Sequence, residues 1–340
     1  MFTGYLVNRD VIGSTVIEAA DGDLLLMYSA SDGKHFLKSS DHFRTVRTEW
    51  VTANESLTAN ANLIRLRDGR LMTILRRVSA DPVIADIKGA SYYTAFSDDD
   101  GHSFHPGERI NRSDACYYLM NDRILRTQTG RILLPVCYVP PESANRECFE
   151  KSGWSGCFYS DDEGSTWQEG AWLQAEGIDQ LAEPMVMQGT DSALHMYMRT
   201  GYGYLYRSVS HDGGVSWARA AASVLRSPCA PFCVKCNPWN GLYYAVWDNS
   251  FPGKHLNTPR SPICLAESDD GVSWRFLCEL DHDPMRSYGY PMLHFTPEET
   301  LITYYESPER VFRPAEQRLK LQLLGQDELD ALHARARALG

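Results

Sequence analysis

A carboxylate and a phenol in this chain could together provide a nucleophile. Glu183 begins the segment Glu183-Pro-Met-Val-Met, and Tyr290 begins the segment Tyr290-Pro-Met-Leu-His. If the two side chains meet, the carboxylate can take the phenol proton and so activate the phenol oxygen. The alternative is that Glu183 is a solvated carboxylate at a strand end and that Tyr290 is an aromatic residue of the core.

Two arginines could hold an anionic group near that pair. Arg199 ends the segment Met196-Tyr-Met-Arg199, and Arg260 lies in Thr258-Pro-Arg-Ser-Pro-Ile-Cys-Leu. The formal net charge is −11 at pH 7, so an anionic substrate would have to be attracted locally, by arginines placed for it. We therefore expect a substrate that carries a carboxylate. The alternative is that one arginine holds Glu183 and the other fixes a loop.

The cysteines do not predict a metal site. Three of the nine cysteines lie close together in the sequence, at Cys229, Cys233 and Cys236. The segment that contains the last two is typical of a strand, in which alternate residues point to opposite faces. No second CxxC or HxxxH motif accompanies it, as a closed four-ligand zinc site would require. We expect neither a metal nor another cofactor.

Copies of one short loop indicate the elements that position these residues. The pattern Ser-x-Asp-x-Gly-x-Ser/Thr-aromatic occurs at 97–104, 160–167 and 210–217, and at 267–274 with Glu267 in the first position. A degenerate copy at 39–46 has Phe43 in place of glycine. We expect the aspartate to accept hydrogen bonds from backbone N–H groups and the glycine to supply a positive φ. In order, the aspartates are Asp99, Asp162, Asp212 and Asp269. The loop recurs every 50 to 63 residues, and a repeat at that period is typical of a propeller or a solenoid.

Six apolar hairpins lie between these loops and predict the fold. Each is an apolar strand, a turn and a second apolar strand, and the first residues are Gly13, Asn60, Asn121, Glu183, Phe232 and Tyr290. We predict an all-β fold, a six-bladed β-propeller of four-stranded antiparallel blades. Residues 318–324 and 4–7 would complete blade six, which closes the ring and removes the exposed sheet edge. The six first residues would converge on the axis, and Glu183 would then face Tyr290 across one pocket.

The remaining features fit one propeller with a short tail. Residues 1–325 are assigned to the propeller and residues 326–340 to a C-terminal helix packed on it, because Leu329, Leu332 and Ala336 would share one helix face. The acidic balance argues against nucleic acid or a membrane surface as a partner. Residues 1–9 have no apolar signal core, so we expect a cytoplasmic protein unless a signal segment has been removed.

Asp loops on a six-bladed propeller resemble the sialidase (neuraminidase) superfamily, also called the BNR-repeat or Asp-box proteins. The resemblance covers about residues 10–310. Sialidases have a glutamate in a Glu-Pro-like strand start, an arginine ending the next strand, a second arginine before the last Asp box, and a later tyrosine. The positions of this chain that match are Glu183, Arg199, Arg260 and Tyr290.

The resemblance implies a role for each of these residues. Tyr290 is the nucleophile, Glu183 is its base, and Arg199 and Arg260 clamp a substrate carboxylate. The acid that protonates the leaving group is matched best by Asp32, in Ser29-Ala-Ser-Asp-Gly33. Such enzymes depart from the paired carboxylates of most glycosidases by using a tyrosine.

One position departs from the family pattern. The sialidases carry a third arginine on the first strand, and the alignment places it near Ile12, where this chain reads Asp10-Val-Ile-Gly-Ser14. Arg9 is the nearest candidate, but it lies three residues away, and an odd shift turns a strand residue to the other face unless a bulge intervenes. The substrate need not be a sialic acid. Neutral contacts to sugar hydroxyls, or plain turn and strand-end roles, are expected of Asn60, Asn62 and Asn121.

Three functions fit these residues, and all of them take a carbohydrate. The first is a sialidase-like retaining exo-glycosidase that hydrolyses a terminal acidic sugar, sialic acid or a related one, from a glycan. The second is another glycoside hydrolase, or a polysaccharide lyase, that acts on a uronate-containing glycan with Tyr290, His195 or His294 as acid or base. The third is a non-catalytic carbohydrate-binding propeller. The fold alone does not decide among them.

Overall fold

The six hairpins of the sequence become six antiparallel sheets around one axis. The computed structural model describes residues 1–8, 11, 13–52, 60–84, 87–113, 115–139, 153–178, 180–189, 192–250, 260–308 and 316–339. In blades one to five the strands pair in chain order from the innermost outward, and most of the first strands contact the first strand of a neighbouring blade. The predicted six-bladed propeller is confirmed.

The strands are distributed evenly over the blades. Blade one has β2 (Ser14–Glu18), β3 (Leu24–Ala30), β4 (Gly33–Ser39) and β5 (Thr48–Thr52). Blade two has β6 (Leu63–Arg65), β7 (Leu71–Ile84), β8 (Ile87–Ser97) and β9 (His105–Arg109). Blade three has β10 (Cys116–Tyr118), β11 (Leu125–Arg126), β12 (Ile132–Val139), β13 (Trp154–Ser160) and β14 (Gln168–Glu169), with β10 and β11 both pairing with β12.

Blades four to six follow the same plan. Blade four has β15 (Ala182–Gln188), β16 (Leu194–Arg199), β17 (Tyr204–Ser210) and β18 (Ala221–Arg226). Blade five has β19 (Phe232–Cys236), β20 (Tyr243–Asp248), β21 (Ile263–Ser268) and β22 (Arg275–Asp281). Blade six has β23 (Ser287–Phe295), β24 (Glu299–Ser307), β25 (Arg318–Gly325) and, as its outer strand, β1 (Phe2–Val7).

The ring is closed by the first strand of the chain. β1 pairs antiparallel with β25, with Phe2 opposite Leu323 and Gly4 opposite Leu321. Tyr5 also donates its hydroxyl hydrogen to Glu306, at 2.9 Å. Both outer segments predicted for blade six are confirmed, and the outer edge of β25 is thereby covered.

The Asp loops join the third and fourth strands of blades one to five, all at one end of the propeller, which we call the loop face. In the loop at 97–104, Asp99 Oδ1 accepts hydrogen bonds from Ser97 Oγ and from the backbone N–H of Ser103, at 2.7 and 2.9 Å. Gly101 has φ +90°, and a Cβ atom there would come within 2.8 Å of the Phe36 ring. The predicted roles of aspartate and glycine are confirmed here.

The degenerate loop at 39–46 keeps the same hydrogen bonds although it lacks the glycine. Asp41 Oδ1 accepts the backbone N–H of Thr45 at 2.9 Å, and Phe43 adopts φ +64° in the glycine position. Only a few per cent of non-glycine residues have a positive φ. The hydrogen bonds of the loop therefore impose its backbone shape even on a residue poorly suited to it.

The last loop corrects one assignment. The prediction that Asp269 binds the backbone was wrong, because Asp270 accepts the N–H groups of Val272 and Ser273, at 2.8 and 2.7 Å. Ser268 is only three residues from Gly271, one fewer than in the other loops, so the aspartate next to the glycine takes the role. Asp269 instead forms ion pairs with Arg275 and Arg337.

The core consists of apolar clusters between neighbouring blades. The aromatic residue of an Asp loop can pack against a residue of the adjacent blade. Phe104 stacks on Phe36 of blade one, with ring centroids 6.0 Å apart. Trp274 contacts Tyr197 of blade four edge-on, and its indole N–H donates to the Tyr197 hydroxyl at 2.9 Å. The loops therefore fix both their own hairpin and the seam to the adjacent blade.

A single helix follows the propeller in the described part of the chain. α1 (Gln326–Leu339) buries Leu329 in a core cluster, against which Leu332 and Ala336 are partly buried. His333 Nδ1 lies 2.7 Å from Glu267 Oε2 at the end of β21. The three residues expected to share a helix face therefore pack together. Within the described residues, no helix has the length and apolarity that crossing a bilayer requires.

Candidate active site

Glu183 and Tyr290 are placed by the same irregularity in two blades. The pairing of β15 with β16 shifts register between Ala182 and Met185, and that of β23 with β24 shifts between Gly289 and Met292. Glu183 has φ +47° and Tyr290 has φ +46°, and each precedes a proline. Such a bulge redirects a side chain out of the strand alternation. A positive φ in a non-glycine residue costs about 1–3 kcal/mol and is often found at functional sites.

The two side chains share one electrostatic environment with both predicted arginines. Burial raises the pKa of Tyr290, and the nearby Glu183 carboxylate raises it further, whereas Arg199 and Arg260 lower it. These residues come from blades four, five and six. The phenol stays protonated at neutral pH, so it needs a base before its oxygen can attack. We call the end of the propeller with this cluster the site face.

Arg199 holds the proposed base in place. It ends β16, is buried, and donates from Nη1 to Glu183 Oε1 at 2.8 Å and from Nη2 to the Cys229 carbonyl at 2.9 Å. Burial lowers the pKa of Arg199, but the Glu183 carboxylate, Cys229 and Tyr290 together raise it well above its ordinary value. This pairing is the alternative role that the sequence allows for one arginine. Glu183 Oε2 is buried and has no hydrogen-bond partner among the described residues.

Arg260 approaches the site from the segment before β21. Its side chain is buried, and Nη1 donates to the Tyr305 hydroxyl at 2.6 Å. The Tyr305 ring lies 5.8 Å from the Tyr290 ring, centroid to centroid. The backbone carbonyl of Arg260 accepts the N–H of Tyr288, at 3.0 Å, which ties this segment to the strand of Tyr290. Arg260 thus approaches Tyr290 through Tyr305, a residue that the sequence did not single out, and its binding of a substrate carboxylate stays a prediction.

Asn121 lies beside two of the other residues that begin the hairpins, Gly13 and Tyr290. Its Nδ2 donates to the Ser14 carbonyl at 3.0 Å and reaches the Tyr290 carbonyl at 3.5 Å. A Cβ atom on Gly13 would lie 2.7 Å from Asn121 Cγ. Blades one, three and six therefore meet at the axis around one asparagine.

The other asparagines also bind backbone groups. Asn60 Nδ2 donates to the Leu119 carbonyl at 2.8 Å. Asn62 is fully buried, donates to the Met120 carbonyl at 2.7 Å and accepts the N–H of Arg123 at 2.7 Å. These contacts favour the strand-end roles given as the alternative, and contact with sugar hydroxyls stays a prediction for all three asparagines.

Arg123 is an axial residue that sequence reasoning missed. Its side chain is buried, with Nη1 donating to the Asn121 carbonyl at 3.0 Å and Nη2 to the Phe232 carbonyl at 3.2 Å. Burial lowers its pKa, and the charge of Glu183 is among the neighbours that oppose this effect. The available signal was its place two residues after Asn121, the residue that begins the third hairpin.

The predicted acid lies at the site face, in a different setting from the cluster. Asp32 is in the tight turn between β3 and β4, is half exposed, and has Oδ1 2.7 Å from His35 Nε2. His35 is buried and stacks on Tyr28, with centroids 4.7 Å apart. The role of Asp32 as acid stays a prediction. Arg9, the candidate for the third arginine, lies outside the described residues.

The two histidines suggested for a lyase lie far along their strands. His195 is near the start of β16, whereas Arg199 ends that strand, and His294 follows Tyr290 by four residues in β23. Four residues of strand span about 13 Å. Burial lowers the pKa of His294 to about 3, and this side chain lines a cavity of about 360 Å³ beside Trp239, at the loop face. Neither histidine is therefore placed to act as an acid or base beside Tyr290.

No metal cluster is visible in the part of the chain that the structure describes. No group of three or more His, Cys, Asp or Glu side chains there is placed to hold an ion. Cys229 and Cys233 are buried thiols, and Cys236 is partly buried. Cys229 contacts Arg199, whose Nε lies 3.4 Å from its Sγ.

Comparisons with known proteins agree with this architecture. Residues 57–302 match the family model described as "BNR repeat-like domain", and no curated protein matches the chain. Similar solved structures include a protein of unknown function from Dyadobacter fermentans DSM 18053, with 15% identity, a TM-score of 0.67 and coverage of 95% of this chain and 99% of that one.

Two further structures are named as sialidases. The Hadza microbial sialidase Hz136 has 16% identity and a TM-score of 0.70, over 95% of this chain and 66% of that one. The intramolecular trans-sialidase from Ruminococcus gnavus, solved with oseltamivir carboxylate, has 13% identity and a TM-score of 0.65, over 94% of this chain and 95% of that one. At these identities the likeness concerns the fold.

Proposed function

The chain belongs to the BNR repeat-like domain family, and from that premise we propose that it is a retaining exo-glycosidase that removes a terminal acidic sugar from a glycan. The observation that carries the proposal is the cluster at the site face, where Glu183, Tyr290 and two buried arginines influence one another. The bulges that place Glu183 and Tyr290 are strained, which favours a functional role over a packing role.

The geometry suggests how the nucleophile would form. Arg199 engages Oε1 of Glu183 and leaves Oε2 without a hydrogen-bond partner among the described residues. Oε2 is then the atom that would take the phenol proton. Because Arg199 fixes the carboxylate, its orientation is set before the substrate arrives.

The proposed reaction has two displacements. The Tyr290 oxygen attacks the anomeric carbon while its proton passes to Glu183, and the bond to the leaving group breaks with a proton supplied by Asp32. Water then attacks the same carbon, gives its proton to Asp32, and releases the sugar, while Tyr290 recovers its proton from Glu183. Two inversions retain the anomeric configuration. A neutral phenol also avoids the repulsion that a carboxylate nucleophile would meet at an anomeric centre bearing a carboxylate.

The arginines support an acidic substrate. Arg260 is buried in the cluster, and a substrate carboxylate would make charge-assisted bonds to it, each contributing about 1.5–3 kcal/mol. The Ruminococcus gnavus neighbour is described in complex with a carboxylate ligand. Arg199 already binds Glu183, so Arg260 would make the larger contribution.

A substrate comparison tests the proposal. The probes are the 4-methylumbelliferyl glycosides of N-acetylneuraminic acid and of D-glucuronic acid, each with its methyl ester. We expect turnover of one acid, with kcat/KM at least tenfold above that of its ester, and a first product that keeps the configuration of the substrate by proton NMR. Equal turnover of acid and ester would show that the arginines are structural.

The same assay separates the other two functions. Cleavage of a uronate-containing polysaccharide with appearance of the absorbance of an unsaturated uronate would show a lyase and refute hydrolysis. Binding of glycans without turnover of any probe would leave a carbohydrate-binding propeller. Arg260→Ala should raise KM or lower kcat/KM on the acid and leave the ester unaffected.

A further inference from the structure

Trp239 is exposed on the loop face, at the end of the propeller opposite the proposed site. It lies in the turn between β19 and β20, and 61% of its surface is exposed. A single exposed apolar residue is common on a protein surface. Trp239 differs from such a residue because its ring is held in place and borders a cavity. Both features favour a binding role over chance exposure.

The turn fixes the indole ring. The backbone N–H of Trp239 donates to Asn237 Oδ1 at 2.9 Å, and the indole N–H donates to the carbonyl of Phe295 in blade six at 3.3 Å. The N–H of Gly241 donates to the carbonyl four residues earlier, whereas the corresponding glycines of blades one to three donate to the carbonyl three residues earlier. This longer turn brings the ring to the seam with blade six.

The ring borders a cavity of about 360 Å³, a volume typical of small-molecule sites. Phe295 and Pro297 of blade six add apolar surface to the wall, whereas Glu18 of blade one and Glu298 of blade six add carboxylates. Both glutamates are exposed, as Trp239 is, so the cavity is open to solvent. An aromatic ring, apolar surface and two carboxylates therefore surround one space.

The lining of this cavity is negatively charged. In the described part of the chain, no arginine or lysine lines it. Burial lowers the pKa of His294 to about 3, so this imidazole stays neutral at pH 7. The other histidine of the lining, His42, has Nδ1 2.7 Å from Oε2 of Glu299, and the same carboxylate accepts a hydrogen bond from Arg44. The cavity is therefore suited to a ligand with a positive charge.

We propose that this cavity is a further binding site, for an organic ammonium ion, in which the charged nitrogen lies against the face of Trp239 and is balanced by Glu18 and Glu298. The site lies on the opposite face from Glu183 and Tyr290, so the inference does not depend on the proposed glycosidase.

Two physical effects select this class of ligand. The face of an indole attracts a cation through its quadrupole, and the attraction is stronger than that of a phenol or a phenyl ring. The exposed carboxylates add a charge attraction that salt screens. A neutral sugar would use the ring and leave the charge of the carboxylates unbalanced, and an acidic sugar would be repelled.

Choline and 3,3-dimethylbutan-1-ol are matched probes, since they have the same shape and differ in that carbon replaces the charged nitrogen. We expect choline to bind the wild type roughly tenfold or more tightly than the neutral alcohol, because only choline gains the cation–π and charge attraction. The affinity for choline should fall as NaCl is raised from about 20 to about 500 mM. Titration of each probe with protein, followed by proton NMR, measures weak affinities and requires no variant.

Variants then locate the site. Trp239→Ala should lower the affinity for choline roughly tenfold, and Trp239→Phe should lower it less, because a phenyl ring keeps a weaker π face. Glu18→Gln combined with Glu298→Gln should lower the affinity severalfold and remove most of its salt dependence. Phe276→Ala and Glu108→Gln are the matched controls, since they remove an exposed aromatic ring of β22 and an exposed carboxylate of β9. Both controls should bind choline as the wild type does.

Four outcomes would overturn the inference. Equal binding of the two probes would show an apolar cavity that does not select charge. Choline binding that Trp239→Ala leaves unchanged would place the cation elsewhere on the protein. Absence of choline binding at millimolar concentrations would remove the site. Binding of lactose but not choline, lost in Trp239→Ala, would assign the cavity to a neutral sugar.

Discussion

The loop face and the site face of the propeller use carboxylates in opposite ways. On the loop face, hydrogen bonds from Thr45 to Asp41 lower the pKa of that carboxyl to about 2, and every oxygen has a partner. On the site face, one oxygen of Glu183 and both oxygens of Asp248 have none among the described residues. The carboxylates of the repeated loops complete their hydrogen bonds within the fold, whereas in the proposed function a ligand completes those of the site face. Real proteins depart from full polar satisfaction mainly at such functional sites.

The strongest test of this contrast is Tyr290→Phe. We expect kcat on the preferred acidic glycoside to fall roughly 10³-fold, because the ring remains while the attacking oxygen is lost. The melting temperature should change little. Kinetics with calorimetric melting measure both quantities.

The control for this variant is Tyr288→Phe, two residues earlier in the same strand, which should keep its activity. Glu183→Gln should be nearly as inactive as Tyr290→Phe, and the double variant no worse than either, because the pair acts as a unit. Near wild-type hydrolysis by Tyr290→Phe would assign the chemistry to another residue and remove the distinction between the two faces.

A glycine of the loop face should show the reverse behaviour. Gly101→Ala places a Cβ at φ +90° and within 2.8 Å of Phe36. The expected loss is about 2–4 kcal/mol of unfolding free energy, from backbone strain and overpacking. Urea unfolding measures it. Activity per folded molecule should stay within about twofold, since residues of the site are untouched. Gly69→Ala, also at positive φ but with no neighbour within 4 Å of the added Cβ, separates strain from contact.

The smallest expected effect is the acid dependence of stability. The pKa values of Asp41 and Asp99 are lowered in the fold to about 2, below the unfolded value of about 3.9. Their contribution to stability is therefore complete above pH 4 and is lost as the pH falls toward 2. Asp99 is exposed and Asp41 is partly exposed, so the effect should be modest. The combined Asp41→Asn and Asp99→Asn variant should lose less melting temperature between pH 4 and 2 than the wild type does. An identical loss would mean that other carboxylates dominate.

The fold was predictable because its signals recur. Six hairpins and five loops align with one another. One loop with a different spacing, in which Asp270 rather than Asp269 binds the backbone, changes one assignment and leaves the predicted architecture intact. Glu183 and Tyr290 could be paired for the same reason, since both begin a hairpin. Their bulges and positive φ values were not visible, because Xaa-Pro after a loop is compatible with a regular strand.

The rest of the site could not be predicted because it occurs once. Tyr305 and Asp248 lie toward the ends of second strands, among other buried residues of similar type, and only the approach of blade six to blade five brings Tyr305 to Arg260. Arg123 was visible in the hairpin alignment, but its burial at the axis follows from the packing of Asn121 and Phe232. An internal repeat identifies equivalent positions in the blades. It does not identify the blade in which such a position has a different role.

The closing of blade six by β1 has a kinetic consequence. Tyr5 and Glu306, which hydrogen-bond in the finished sheet, are separated by 301 residues along the chain, whereas blades one to five are each formed from consecutive segments. Contacts of such long range are slow to form, because the entropy of closing the loop is lost before they can stabilise it. The ring should therefore close last during folding and open first during unfolding. An added cross-link between β1 and β25, which pair antiparallel, should therefore slow unfolding.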